Sequence, residues 1–169
     1  MNRSRVAIAL LAIVVALVLQ TTLFGSNGIR PFGVAPALVT LVVIAIGPYV
    51  ENEYHLLLGF TAGILMDLMG SGTLGLWAMT LTTVAYVSSR LRAKFQESLV
   101  LSGVIVFTLT LGSQILFVIL STLFGQNLVG DTSLAAKIVL PAVWNLLLAY
   151  PVFWLFGTIF KPVNQGWAT

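Results

Sequence analysis

Between Val6 and Phe160 the sequence falls into six apolar runs, Val6–Phe24, Ala35–Val50, Tyr54–Met69, Leu74–Ser89, Ser98–Phe124 and Ile138–Phe160, separated by short polar connections. Only one Asp, Glu, Lys or Arg, Asp67, stands inside any of them. Runs of this length with so little charge are membrane-spanning candidates, since a helix needs about 20 apolar residues to cross the hydrocarbon core. Backbone polar groups in lipid must be satisfied within the protein, so the runs are expected to be helices. Composition agrees: 59% of the 169 residues are hydrophobic and only 8% are charged, with mean hydropathy +1.04. A soluble domain carries about 25% charged residues. The sequence therefore predicts an all-α, polytopic membrane protein, six helices in a compact bundle forming a single transmembrane domain over residues 1–169.

The second, third and fourth runs are short for a crossing. The second also holds Pro36 near its start and Gly47-Pro48 near its end. A broken or re-entrant helix there is the alternative, with five or fewer full crossings. Charge favours six. With both termini in the cytoplasm, Arg3, Arg5, Arg90, Arg92, Lys94 and Lys161 lie inside, and only Arg30 and Lys137 outside, the bias that orients membrane proteins. Aromatic residues fall where amphipathic rings prefer to sit, Tyr49, Tyr54, Tyr86 and Phe160 at the inner interface and Phe24, Phe32 and Trp77 at the outer one. The start, Met1-Asn2-Arg3-Ser4-Arg5 before an apolar run, resembles a signal peptide. The run is too long for a signal core and no Ala-x-Ala site ends it, so an uncleaved first span is expected. The pI near 9.6 reflects topology signals and not nucleic-acid binding.

Counting depth from the ends of the runs places Gln20, Asp67, Gln114 and Asn145 all in the outer half of the membrane. Such groups turn inward and bond across helices. They form either a ligand pocket or interhelical hydrogen bonds. Arg30, in the outer loop at similar depth, is the expected charge partner of Asp67. Gly59, Gly63, Asp67 and Gly70 recur on one helical face, and small residues four apart allow close helix approach. Ala12 and Ala16 form a weaker pair of the same kind in the first run. These six residues are the packing and interaction candidates.

Catalytic and cofactor motifs are absent. Zero cysteines exclude disulfides and thiolate chemistry. Gly70–Gly75 matches G-x-G-x-x-G but joins two apolar runs, where a glycine-rich turn is the better reading. Glu51 and His55 share a helical face, yet no second His exists to complete a metal site. Ser113 beside Gln114 has no base. The Arg90–Lys94 run is adequate as a topology signal, with anionic lipid contact as a further option. No enzyme, no cofactor and no metal are expected.

At Leu56–Val87, LLLGFTAGILMDLMGSGTLGLWAMTLTTVAYV, the sequence resembles the rod shape-determining MreD family. The matching positions are Gly59, Phe60, Gly63, Asp67, Leu74, Gly75 and the basic loop Arg90–Lys94. Leu19-Gln20-Thr21-Thr22 at the end of the first run and Pro36 in the second are also similar to the family. The resemblance implies a non-enzymatic scaffold of the bacterial cell-elongation machinery in the cytoplasmic membrane. It implies binding to MreC and, indirectly, work with MreB, RodA and a transpeptidase in lateral peptidoglycan synthesis. A homo-oligomer is left open. In helix number the chain is also similar to the substrate-binding S-components of energy-coupling-factor vitamin transporters. That is the alternative function, and the outward polar residues and the Ala12/Ala16 pair would suit it.

Overall fold

A computed structural model describes residues 3–25, 28, 33–70, 72–126 and 132–160. The described residues form six α-helices and one 3₁₀ turn, with no strand: α1 (Arg3–Leu23), α2 (Leu38–Ile46), α3 (Asn52–Met69), α4 (Leu76–Arg90), the 3₁₀ turn Arg92–Gln96, α5 (Leu99–Leu123) and α6 (Leu134–Ile159). By length and composition, Ser4–Leu23, Leu99–Leu123 and Leu134–Ile159 can each cross a membrane unaided. α3 carries Glu53, His55 and Asp67 among its 18 residues, and α4 has only 15. Five of the helices follow the expected runs closely, although α6 begins four residues early and takes in Lys137.

The second run departs from expectation. Ala35–Val50 is not one helix: only Leu38–Ile46 is helical, and Val34–Ala37 is neither helix nor turn. Proline explains both ends. Pro36 disfavours helical geometry at Ala35, and Pro48 has no N–H to give the Ile44 carbonyl. Instead the Gly47 N–H turns back to Ile44 O at 3.1 Å, tightening the last turn. Nine residues of helix rise about 14 Å, roughly half of a hydrocarbon core. The four residues before it could add at most about 13 Å.

α2 is the centre of the molecule. Val39 to Ile46 are all buried, and α2 touches each of the other five helices. Those five follow one another around it in the order α1, α3, α4, α5, α6, each in contact with the next. α6 and α1 do not touch. The tightest pair is α3 with α4. A Cβ on Gly63 would lie 2.3 Å from Ala78 Cα, and one on Gly59 would lie 2.6 Å from Ala85 Cβ. Glycine is required at both, because the α4 backbone occupies the space.

Long-range bonds sort the ends of the helices. Arg92 in the α4–α5 connection reaches Val50 and Asn52 in the α2–α3 connection, and Tyr49 stacks on Phe160 at 5.5 Å. At the opposite end Gln126, just past α5, donates to Thr73 in the α3–α4 connection at 3.0 Å. From the α2–α3 connection to the chain just past α5, the described connections thus alternate between the two ends of the bundle.

Candidate functional site

α2 and α4 begin after residues whose side chains cannot cap them. α4 starts after Gly75, which sits in the left-handed region at φ +98° and has no side chain to offer its first amides. α2 starts after Ala37, which is no better equipped. The first few N–H groups of any helix lack internal partners, and here one of them in α2 and three at the start of α4 find acceptors on other helices.

Asp67 supplies α4. Its Oδ2 accepts the N–H of Gly75 at 2.9 Å and of Ala78 at 3.1 Å, and its Oδ1 accepts Trp77 N–H at 3.1 Å. The carboxylate is 5% exposed. Three backbone N–H donors at the start of α4 converge on this one carboxyl group, giving its buried oxygens the partners that water would otherwise supply. Trp77 stacks on Phe117 at 4.2 Å beside this site. The remaining space among Asp67, Thr73, Trp77 and Phe117 is about 40 Å³, enough for a water and little more. Arg30, the expected charge partner, lies outside the described residues; the partners found for Asp67 are backbone amides.

Gln20 supplies α2, and Asn145 holds the residue before it. Gln20 Oε1 accepts Val39 N–H at 3.0 Å. Asn145 Nδ2 donates to Ala37 O at 2.9 Å and to Thr110 Oγ1 at 3.1 Å. Asn145 is fully buried and its Oδ1 has no partner. Thr110 and Asn145 stand at the midpoints of α5 and α6, so the N-terminus of α2 lies at mid-depth in the bundle. Irregular backbone at membrane depth is tolerated where protein buries it, and these side chains are what buries it. Gln114 is half-buried on α5, one turn from Thr110; the bond from Asn145 goes to Thr110. The residues predicted to form a single outer polar cluster therefore divide: Gln20 and Asn145 serve α2, and Asp67 serves α4.

The other end of α2 is closed by bases. His55 is fully buried, with Nε2 2.8 Å from Val43 O, a carbonyl freed by the tightened last turn. Arg92 is buried too, donating to Val50 O and to Asn52 Oδ1, the latter at 3.0 Å. Burial draws its guanidinium below the ordinary value, and the nearby Glu51 carboxylate counters this. Donors at carbonyl-rich helix ends are favourable electrostatically. Arg90 instead lies over the Tyr86 ring, 5.1 Å from its centroid. The basic run thus has one internal residue that composition does not distinguish from its neighbours.

Gly59 and Gly63, expected as interaction candidates, face α4 of the same chain. Gly70 is exposed at the end of α3. Ala12 and Ala16 line a groove between α1 and α6. Thr110, His55 and Arg92 are the structural participants that the sequence did not mark; the proline pair around α2 was the signal that its ends would need partners. Among the described residues no group of three His, Cys, Asp or Glu could hold a metal. The arrangement offers fixed hydrogen bonds and no activated nucleophile or acid–base pair.

Comparison with known proteins adds the identity of this architecture. No curated protein and no solved structure matches the chain. The family model described as rod shape-determining protein MreD matches residues 2–159. That match takes in all six helices, the acid-capped α3–α4 pair and the broken second segment: the chain belongs to the MreD family.

Proposed function

We propose that this chain is a non-enzymatic, multi-pass subunit of the bacterial cell-elongation machinery, seated in the cytoplasmic membrane and binding MreC in support of lateral peptidoglycan synthesis. The family is one of membrane proteins that determine rod shape, and the match over residues 2–159 is the observation that carries the reading. The polar side chains that could have formed a site are committed to helix ends, which suits a scaffold. Vitamin capture would call for a cavity of about 300–1,000 Å³ with convergent polar groups. The space at Asp67 is far smaller, which disfavours the transporter alternative.

Six crossings with both termini inside fit this role. α2 and the four residues before it can together reach at most about 27 Å, close to the hydrocarbon thickness. The alternation of connections between the two ends puts Arg90, Arg92 and Lys94 at the same end as the Val50–Asn52 turn, as an inside-positive topology requires.

The test is depletion in the native host together with affinity purification of the tagged chain from membranes. Rounding of the cells and recovery of MreC are expected. Rods of normal shape after depletion, or a tagged chain that carries no MreC, would overturn the assignment.

A further inference from the structure

We infer that water enters the bundle along the seam between α5 and α6 and stops at Asn145, at mid-depth. Two contacts define the seam. A Cβ on Gly103 would lie 3.1 Å from Leu146 Cδ1, and Thr110 Oγ1 accepts the Asn145 Nδ2 N–H at 3.1 Å. Successive residues of an α-helix turn by about 100°. Gln114 and Ser121, four and eleven positions past Thr110, therefore fall within about 40° of it, on the face toward α6. From mid-depth to the end where Gln126 meets Thr73, this face of α5 carries Thr110, Gln114 and Ser121.

Protein groups among the described residues do not pair off the polar atoms of this seam. Ala37 O can only accept, so it holds the Asn145 amide with Nδ2 toward it at 2.9 Å and Oδ1 turned away. Asn145 is fully buried, and that Oδ1 has no partner. The Thr110 hydroxyl accepts from Asn145. The hydroxyls of Thr80 and Thr122 donate to the carbonyl four residues back, and Thr110 makes no such bond among the described residues. Ser121 is fully buried, and its Oγ is likewise without a partner among them. Gln114 stands between the two and is half-buried.

Buried polar atoms in folded proteins are nearly always bonded, to protein or to ordered water. Acyl chains offer neither donor nor acceptor. Asn145 Oδ1 needs a donor, and the Thr110 hydroxyl beside it needs an acceptor. One water molecule is both, and internal waters typically sit among about three such groups. Gln114 offers a further donor and acceptor one turn nearer the end of the bundle, and Ser121 a hydroxyl two turns beyond that. The groups therefore form a line and not a single trapped site. In the other direction the contact of Leu146 with Gly103 shuts the seam. The result is an inlet with a closed end, not a channel. It brings water within reach of Ala37, a second support for irregular backbone at membrane depth.

Single cysteines in the otherwise cysteine-free chain test this, because methanethiosulfonates modify the thiolate, which forms in water and not in lipid. Gln114→Cys is the first probe, and Ile115→Cys, exposed on α5 at the same depth, is its control. Ser121→Cys is paired in the same way with the exposed Ile119→Cys. A charged, impermeant reagent is applied to the side of the membrane that labels Thr132→Cys. The probes are expected to react at least about tenfold faster than their controls at equal membrane abundance. In the unsubstituted chain, NMR should show a cross-peak between the Asn145 side-chain amide and water. Probes no faster than their controls, or no water cross-peak at Asn145, would overturn the inference. Reaction of Gln114→Cys from both sides of the membrane would overturn it too, by showing a through passage. None of these failures touches the binding of MreC, which co-purification tests separately.

Discussion

Among the described residues, the buried Asp67 carboxyl is satisfied by the start of a neighbouring helix that follows a glycine. The geometry predicts a graded response. Asp67→Ala should leave three amides of α4 without acceptors and cost about 3 kcal/mol, while Asp67→Asn keeps one acceptor oxygen and should cost about 1 kcal/mol. Thermal unfolding in detergent measures the loss, and faster hydrogen exchange at Gly75, Trp77 and Ala78 locates it. Equal losses for both variants would contradict this account. Gly63 makes a complementary case. Gly63→Leu drives side-chain atoms into the α4 backbone and should cost at least about 1–3 kcal/mol by overpacking. Gly112→Ala, at an exposed helical position with nothing within 4 Å, should be neutral or stabilising by up to about 1 kcal/mol. The glycine spacing made this face visible from the sequence. Which helix it would meet was not visible, because spacing describes one surface and says nothing of its complement.

At the scale of elements, α2 is held by its ends. Association between helices in lipid gains little from apolar burial, since the acyl chains are as apolar as leucine. Bonds from Gln20, Asn145, His55 and Arg92 therefore matter more than the count of buried valines and isoleucines around them. Asn145→Leu should cost about 1–3 kcal/mol by removing the donor to Ala37 O and Thr110 Oγ1. A double-mutant cycle with Thr110→Val should show a coupling of about 0.6–1.7 kcal/mol, the scale of intramembrane side-chain bonds. A coupling near zero would mean that the Asn145–Thr110 bond contributes nothing. Arg92→Lys should not rescue Arg92→Ala fully, because one planar group serves both Val50 and Asn52. Proteolytic sensitivity at the α2–α3 turn reads this out. Apolar runs marked five of the helices to within a few residues, as their hydrophobic stretches are local facts of the chain. The unwinding of Val34–Ala37 was hinted at by Pro36, but its depth is set by Asn145, 108 positions away. Arg92 looked like any basic residue in a cytoplasmic loop, since burial of a loop residue depends on what folds against it.

For the whole molecule, the alternation of connections predicts labelling behaviour. The chain has no cysteine, so single substitutions report cleanly. Gly72→Cys and Thr132→Cys should react with an impermeant maleimide on intact spheroplasts, and Lys94→Cys only after lysis. The reverse pattern would invert the orientation, and labelling of Gly72 from one side with Thr132 from the other would break the six-crossing scheme. The half-length central helix also bears on how the protein is made. Residues 34–46 leave the ribosome long before Asn145 exists, and irregular chain joined to nine helical residues has no stable place in lipid alone. Its correct seating must wait for the last helix to be synthesised. A nascent chain truncated after α5 should therefore hold this segment loosely, open to the translocon or to quality-control proteases, until the C-terminal helix arrives and closes around it.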